Sequence, residues 1–208
     1  MAEDHTSPTG RVPQQRSIAT RSALLEAAGR VFSKRSFAEA RLRDISAEAG
    51  ISQGSLYFHF GNKEDIAAAV LAAQQERMAG PLEAVLSSEL TGLEKILGLS
   101  DGLAAIMSSD TIVQGGIKLA TQPGTGFEAA AREPYFEWIQ TAKMLIELGI
   151  GDGSIDPGVD PQGAAEFVNQ LFVGVQVLSE IDDSWKSMPG RMKGAQPYLI
   201  AILAPHQH

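Results

Sequence analysis

From Gly50 to Gly61 the chain reads Gly-Ile-Ser-Gln-Gly-Ser-Leu-Tyr-Phe-His-Phe-Gly, and no other stretch narrows the possible folds so far. It follows Arg41-Leu42-Arg43-Asp44-Ile45-Ser46-Ala47-Glu48-Ala49, a short helical segment with Leu42, Ile45 and Ala49 on one face. Gly50 stops that helix, because glycine enters the left-handed conformation at little cost. Ile51 returns to the core, and Ser52 is a good N-cap for a helix of one or two turns from Gln53 to about His59. A helix, a short turn containing glycine and a second helix form the helix-turn-helix pattern, whose second helix fits the major groove of DNA.

That second helix has an unusual composition. Leu56 and Phe60 point inward at helical spacing, which leaves Gln53, Gly54, Ser55, Tyr57 and His59 outside. An exposed helical glycine such as Gly54 costs about 1 kcal/mol relative to alanine, a cost explained if the surface must approach DNA closely. The plainer alternative is that Tyr57 and His59 are half-buried aromatics in a helical hairpin.

Residues 17–65 resemble the DNA-binding domain of the TetR family of bacterial transcriptional repressors. The resemblance is carried by Thr20-Arg21, Leu24-Leu25-Glu26-Ala27-Ala28, Val31-Phe32, Asp44-Ile45, Ala49-Gly50-Ile51, Leu56-Tyr57-Phe58-His59-Phe60 and Lys63-Glu64. Beyond that region, Val113-Gln114-Gly115-Gly116-Ile117-Lys118-Leu119, Pro134-Tyr135-Phe136-Glu137-Trp138 and Phe172-Val173-Gly174-Val175-Gln176 are similar to the γ-butyrolactone autoregulator receptors, a subgroup of that family. The resemblance implies base or groove contacts by Gln53, Gly54, Tyr57 and His59, beside Ser52, and phosphate contacts by Thr20 and Lys63. Relatives usually carry Lys where this chain has Gln53. Glutamine suits the N6/N7 edge of adenine and lysine suits guanine, so an altered operator preference or weaker binding is expected. Arg41 stands where Ser or Thr normally caps the preceding helix, and Arg41 and Arg43 are candidates for additional phosphate contacts. The resemblance also implies a ligand pocket beside Trp138, with further lining from Met107, Gln114, Leu119, Phe172, Val175, Gln176 and Ser179. Those side chains offer mostly apolar walls with a few hydrogen-bonding groups, as a small amphipathic signal requires.

The net charge of −8 is unexpected for a DNA-binding chain until it is divided. Residues 1–75 hold 9 basic and 8 acidic side chains, whereas residues 76–208 hold 8 and 17. Within residues 11–43 there are 8 basic side chains against only Glu26 and Glu39. A basic leading segment on an acidic body suits phosphate contact at one end. Cysteine is absent, which excludes disulfides and thiol chemistry. With no apolar leader and no long apolar run, a cytoplasmic protein without membrane association is expected.

Nothing in the sequence suggests an enzyme, a cofactor or a metal site. Gly149-Ile150-Gly151-Asp152-Gly153 follows a helix instead of a strand and reads as a helix stop, not a nucleotide loop. Asp152, Asp156 and Asp160 lack the spacing of a calcium loop. His5, His59, His206 and His208 do not form a ligand set.

Residues 1–15, rich in Pro, Gly, Ser and Thr, read as a disordered tail. A helix-turn-helix domain is expected over 16–62 and a ligand-binding and dimerisation domain over 63–208. Apolar periodicity predicts helices at 17–33, 41–49, 53–59, 62–78, 82–97, 99–108, 110–119, 133–148, 161–181 and 188–203, with no strand pattern. The expected architecture is an all-α homodimer in which 161–181 and 188–203 pair with their copies. It would place two recognition helices roughly 34–36 Å apart on a near-palindromic double-stranded operator. Release by a γ-butyrolactone-like effector is the first functional reading. A repressor answering another ligand, such as an antibiotic, and a ligand-binding protein with weakened DNA binding are the alternatives.

Overall fold

The computed structural model describes the backbone of residues 11–205 and side chains throughout that range except at 11–13 and 128–135. The described residues form nine α-helices and no strand: α1 (Arg11–Lys34), α2 (Leu42–Ala49), α3 (Gln53–His59), α4 (Lys63–Leu86), α5 (Gly92–Ser109), α6 (Thr111–Thr121), α7 (Glu128–Asp152), α8 (Pro161–Asp183) and α9 (Met188–Leu203). Residues 11–15, expected in the tail, are the first turn of α1. The rest of the expected tail, with His5, and the C-terminal His206 and His208 lie outside the described residues.

Local chemistry explains where most helices begin. The side chains of Ser52, Asn62, Thr91, Asp110 and Asp160 each accept from a backbone N–H in the first turn of the helix that follows. Three expected breaks are absent, because tertiary contacts outweigh local propensity. The expected helices 82–97 and 99–108 are not separate: α5 runs unbroken from Gly92 to Ser109, and the chain breaks instead between Leu86 and Gly92. Pro81 lies inside α4 instead of ending it; the helix keeps its course because Met78 and Val85 are buried on either side, and Pro81 packs against Gly102. Gly149 lies inside α7, which runs on to Asp152 and stops only at Gly153, with φ of 80°. Pro197 is tolerated within α9 because it sits on the exposed face, where water can serve the carbonyl it leaves unpaired.

Two cores result. The first gathers Leu24, Ala28 and Phe32 of α1, Ile45, Leu56, Phe60, and Ile66, Val70 and Leu71 of α4. It also takes Ile112 and Leu119 from α6, so α6 reaches out of the body into the N-terminal core. The second contains Met107, Val113, Ile117, Leu145, Ile146, Val168, Val175, Trp185 and Met192. On α8 periodicity predicts a stripe of Ala164, Val168, Leu171, Val175 and Leu178, but the buried residues are Ala165, Val168, Val175, Gln176 and Ser179, a rotation that leaves Leu178 57% exposed. No single helix among the described residues is long and apolar enough to cross a membrane.

Candidate nucleic-acid interface and ligand cavity

Helix α2 ends at Gly50 in the left-handed region (φ 66°), with Gly50 N donating to Ala47 O and Ile51 N to Ser46 O. The chain turns sharply, Ser52 Oγ accepts from Ser55 N at 3.2 Å, and α3 begins. Leu56 (0% exposed) and Phe60 (4%) anchor α3 to the N-terminal core. Its outer face carries exposed Gln53 and Gly54, Tyr57 at 54% and half-buried His59. Phe58 shares that exposure at 81%, its ring edge-on to His59. It was overlooked at the sequence level, although its place outside the Leu56–Phe60 stripe was the available signal. Arg41 and Arg43 are exposed at the start of α2. Two neighbouring arginines are already engaged, Arg30 with Glu48 at 2.6 Å and Arg35 with Asp44 at 2.8 Å.

The structure engages two of the expected phosphate contacts internally. Thr20 Oγ1 donates to Arg16 O within α1. Lys63 Nζ, expected as an outward point charge, donates to Phe37 O (2.7 Å) and Ala40 O (3.2 Å) and lies 4.3 Å from the Phe37 ring centroid. An ammonium has three donors; two of them close the loop between α1 and α2. As the departure at Arg41 implies, its side chain makes no cap hydrogen bond; the Asp44 carboxylate in the first turn of α2 accepts from Arg41 N at 3.2 Å.

A Cβ placed on Gly54 meets nothing within 4 Å, so nothing inside the chain requires glycine there. Gly54→Ala is therefore expected to raise folding stability by about 0.5–1 kcal/mol, the helix-propensity difference. Operator affinity should fall if the added methyl meets DNA. Thermal melting and anisotropy titration on one sample check both signs, and unchanged affinity would remove Gly54 from the interface.

In the body, α4, α5, α6, α7 and α8 line a partly open cavity of about 110 Å³. Trp138, Phe172 and Gln176 of the expected ligand set lie in its wall, which is otherwise mostly aliphatic. The other five lie elsewhere. Leu119 belongs to the N-terminal core, and Met107 and Val175 are packed in the body core. Gln114 Nε2 donates to Met107 O and ties α6 to α5. Ser179 Oγ is fully buried and, with Trp185 Nε1, has no hydrogen-bond partner among the described residues. These five were expected as further lining beside Trp138, but helical rotation decides which wall a side chain meets. Gln74, Gln75, Ser100 and Asn169 were missed; together with Gln176 and the Trp138 indole they supply the polar groups of the wall. No charged side chain among the described residues lines it. Such a cavity can hold an uncharged molecule and offer it amide donors and acceptors.

Between the two regions, Arg77 of α4 ion-pairs with Glu26 of α1 and Asp110 at the head of α6. Burial pulls its pKa down, but the hydrogen bonds to the two carboxylates outweigh that and raise it.

Comparison with known proteins agrees with this layout. Residues 24–70 match the family of bacterial regulatory proteins described as tetR. The A-factor receptor protein of Streptomyces griseus is 25% identical over 191 residues, covering 92% of this chain; the chain spans 66% of that relative's length. The HTH-type transcriptional repressor KstR2 of Mycolicibacterium smegmatis is 29% identical over 194 residues, 88% of each chain. A solved γ-butyrolactone receptor (ArpA-like protein) superposes with a TM-score of 0.77 at 26% identity, covering 91% of this chain and 90% of the other.

Proposed function

We propose that this TetR-family transcriptional repressor, a relative of the A-factor receptor, leaves its operator when an uncharged γ-butyrolactone-type molecule enters the cavity between α4 and α8. It is a DNA-binding regulator and not an enzyme. The observation that carries the ligand reading is a mostly apolar cavity with amide groups and, among the described residues, no charge in its wall. A lactone carbonyl accepts hydrogen bonds and a hydroxyl donates them, which Gln176 and Asn169, two turns apart on α8, can match. A ligand carrying several phosphates would meet no cation among the described residues there.

We read α3 as the recognition helix, with Gln53, Gly54, Tyr57 and Phe58 facing the groove and Arg41 and Arg43 beside it for phosphates. Phe167, Gly174, Leu178 and Ile181 are exposed along one stripe of α8, with half-buried Leu171 at its edge, and Tyr198, Ile200 and Ile202 are exposed on α9. An apolar face of that size supports a homodimer built on α8 and α9, with operator half-sites about one helical turn apart.

The test is fluorescence anisotropy on DNA from upstream of the protein's own gene, at fixed salt, with γ-butyrolactones of increasing alkyl length. Binding released by one lactone is expected. Gln176→Leu should leave operator affinity unchanged and weaken the lactone response by about 5–150-fold, the loss for leaving a buried polar group unpaired. Tight binding indifferent to every lactone would favour a repressor answering another ligand. Absence of binding above random DNA would favour weakened DNA binding and make Gln53→Lys the next variant.

A further inference from the structure

Three helices meet at one crossing between the DNA-binding domain and the cavity. Arg77 Nη2 donates to Glu26 Oε1 of α1, and its Nη1 donates to Asp110 Oδ2, both at 2.5 Å. The other oxygen of Asp110 accepts from Ile112 N (2.8 Å) and Val113 N (3.2 Å), capping α6. One carboxylate therefore serves both the ion pair and the head of α6. One turn beyond Glu26, Gly29 packs directly on α6: a Cβ on Gly115 would stand 2.7 Å from Gly29 O. On the adjoining side a Cβ on Gly116 would stand 2.5 Å from Gln74 Cβ of α4. The backbone of α6 is therefore packed against the backbone of α1 on one side and the Gln74 side chain of α4 on the other.

The same turn of α4 forms the cavity wall. Gln74, Gln75 and Met78 line the cavity, while Arg77 lies on the side that meets α1 and α6. A cavity of about 110 Å³ is smaller than the roughly 150 Å³ void that admits one benzene. An effector that pushes against this turn of α4 as it enters moves Arg77 with it.

We infer that Arg77 is the positioning residue that clasps α1 to the head of α6 and so holds the DNA-binding domain at the operator-competent angle. The inference rests on the reading of the chain as an effector-released repressor. Exposed ion pairs generally contribute little to stability. This pair differs in joining three elements whose relative placement sets where α3 points.

The chain has no cysteine, so spin labels can be placed cleanly. Exposed Ala38 between α1 and α2 and exposed Asp101 of α5, each changed to Cys, report the angle between DNA-binding domain and body by electron–electron distance measurement. Arg77→Met in the full chain is expected to shift or broaden that distance distribution and to weaken operator binding about tenfold, a coupling of ordinary size. Adding Glu26→Gln to Arg77→Met should cost no further affinity, since the two act as a unit. Arg77→Lys should recover part of it. A purely structural ion pair would lower the melting temperature and leave both the distance and the affinity of the folded protein unchanged, which would overturn the inference. Tighter operator binding would overturn it too. Failure of the unaltered protein to bind its upstream DNA would count against the proposed function alone, and the distance distribution would still decide the clasp.

Discussion

Gly92→Ala is expected to destabilise the body by about 3 kcal/mol or more, the upper end of overpacking costs. A Cβ at Gly92 would lie 2.2 Å from Gly149 N, 2.3 Å from Gly149 Cα and 2.8 Å from Leu145 O. All three are backbone atoms of α7, so no side chain can swing aside, and relief requires the two helices to part. The junction is also a hydrogen-bonded one. Gly92 N donates to Asp152 Oδ2 and Leu93 N to Ser154 Oγ, so the end of α7 caps the start of α5. Separating the helices would leave those amides without their partners. Thermal or denaturant unfolding measures the effect. A loss below about 1 kcal/mol would mean that the crossing relaxes more easily than its geometry implies.

Tyr57→Ala is expected to weaken operator binding by about 5–150-fold, the range for losing a specific side-chain contact in the groove, with little change in melting temperature. Tyr57 is 54% exposed on a helix anchored by Leu56 and Phe60, so truncating it removes little packing. Its hydroxyl suits a phosphate oxygen and its ring suits a thymine methyl. Phe58→Ala separates these contributions, since Phe58 has the ring alone and is the more exposed. Anisotropy on operator and random duplexes at one salt concentration distinguishes base recognition from phosphate attraction, which acts on both. A Tyr57→Ala protein that binds both duplexes as tightly as the parent would remove α3 from the groove.

Where the information is local, the sequence was a sufficient guide. The turn at Gly50, the caps at Ser52 and Asn62 and the inward pair Leu56 and Phe60 depend on residues within a few positions of one another, and the structure has each of them. Helices α8 and α9 were legible for the same reason, as long apolar stretches between turn residues. The exposed face of α3 was legible except for Phe58.

Pro81 and Gly149 mark the limit of that reading. Each has a local preference to end a helix, of a few kcal/mol for proline and about 1 for glycine. Each lies where a distant segment packs against it, Gly102 in the first case and Gly92 with Ile155 in the second. Lys63 was legible as a cation at the head of α4, but its turn inward to the carbonyls of Phe37 and Ala40 depends on where another loop passes.

The sequence by itself determined the class of the protein: all-helical, with a helix-turn-helix whose second helix keeps Tyr57 and Gly54 exposed, a basic leading segment and an acidic body. Periodicity and capping are properties of neighbouring residues, and they survive in the sequence. Only the tertiary structure decided which residues line the cavity, that α6 is shared between two cores, and that Arg77 joins α1 to α6. A wall, a shared helix and a clasp are each made by residues far apart in the chain. Small rotations of whole helices choose among them, and no local pattern records a rotation.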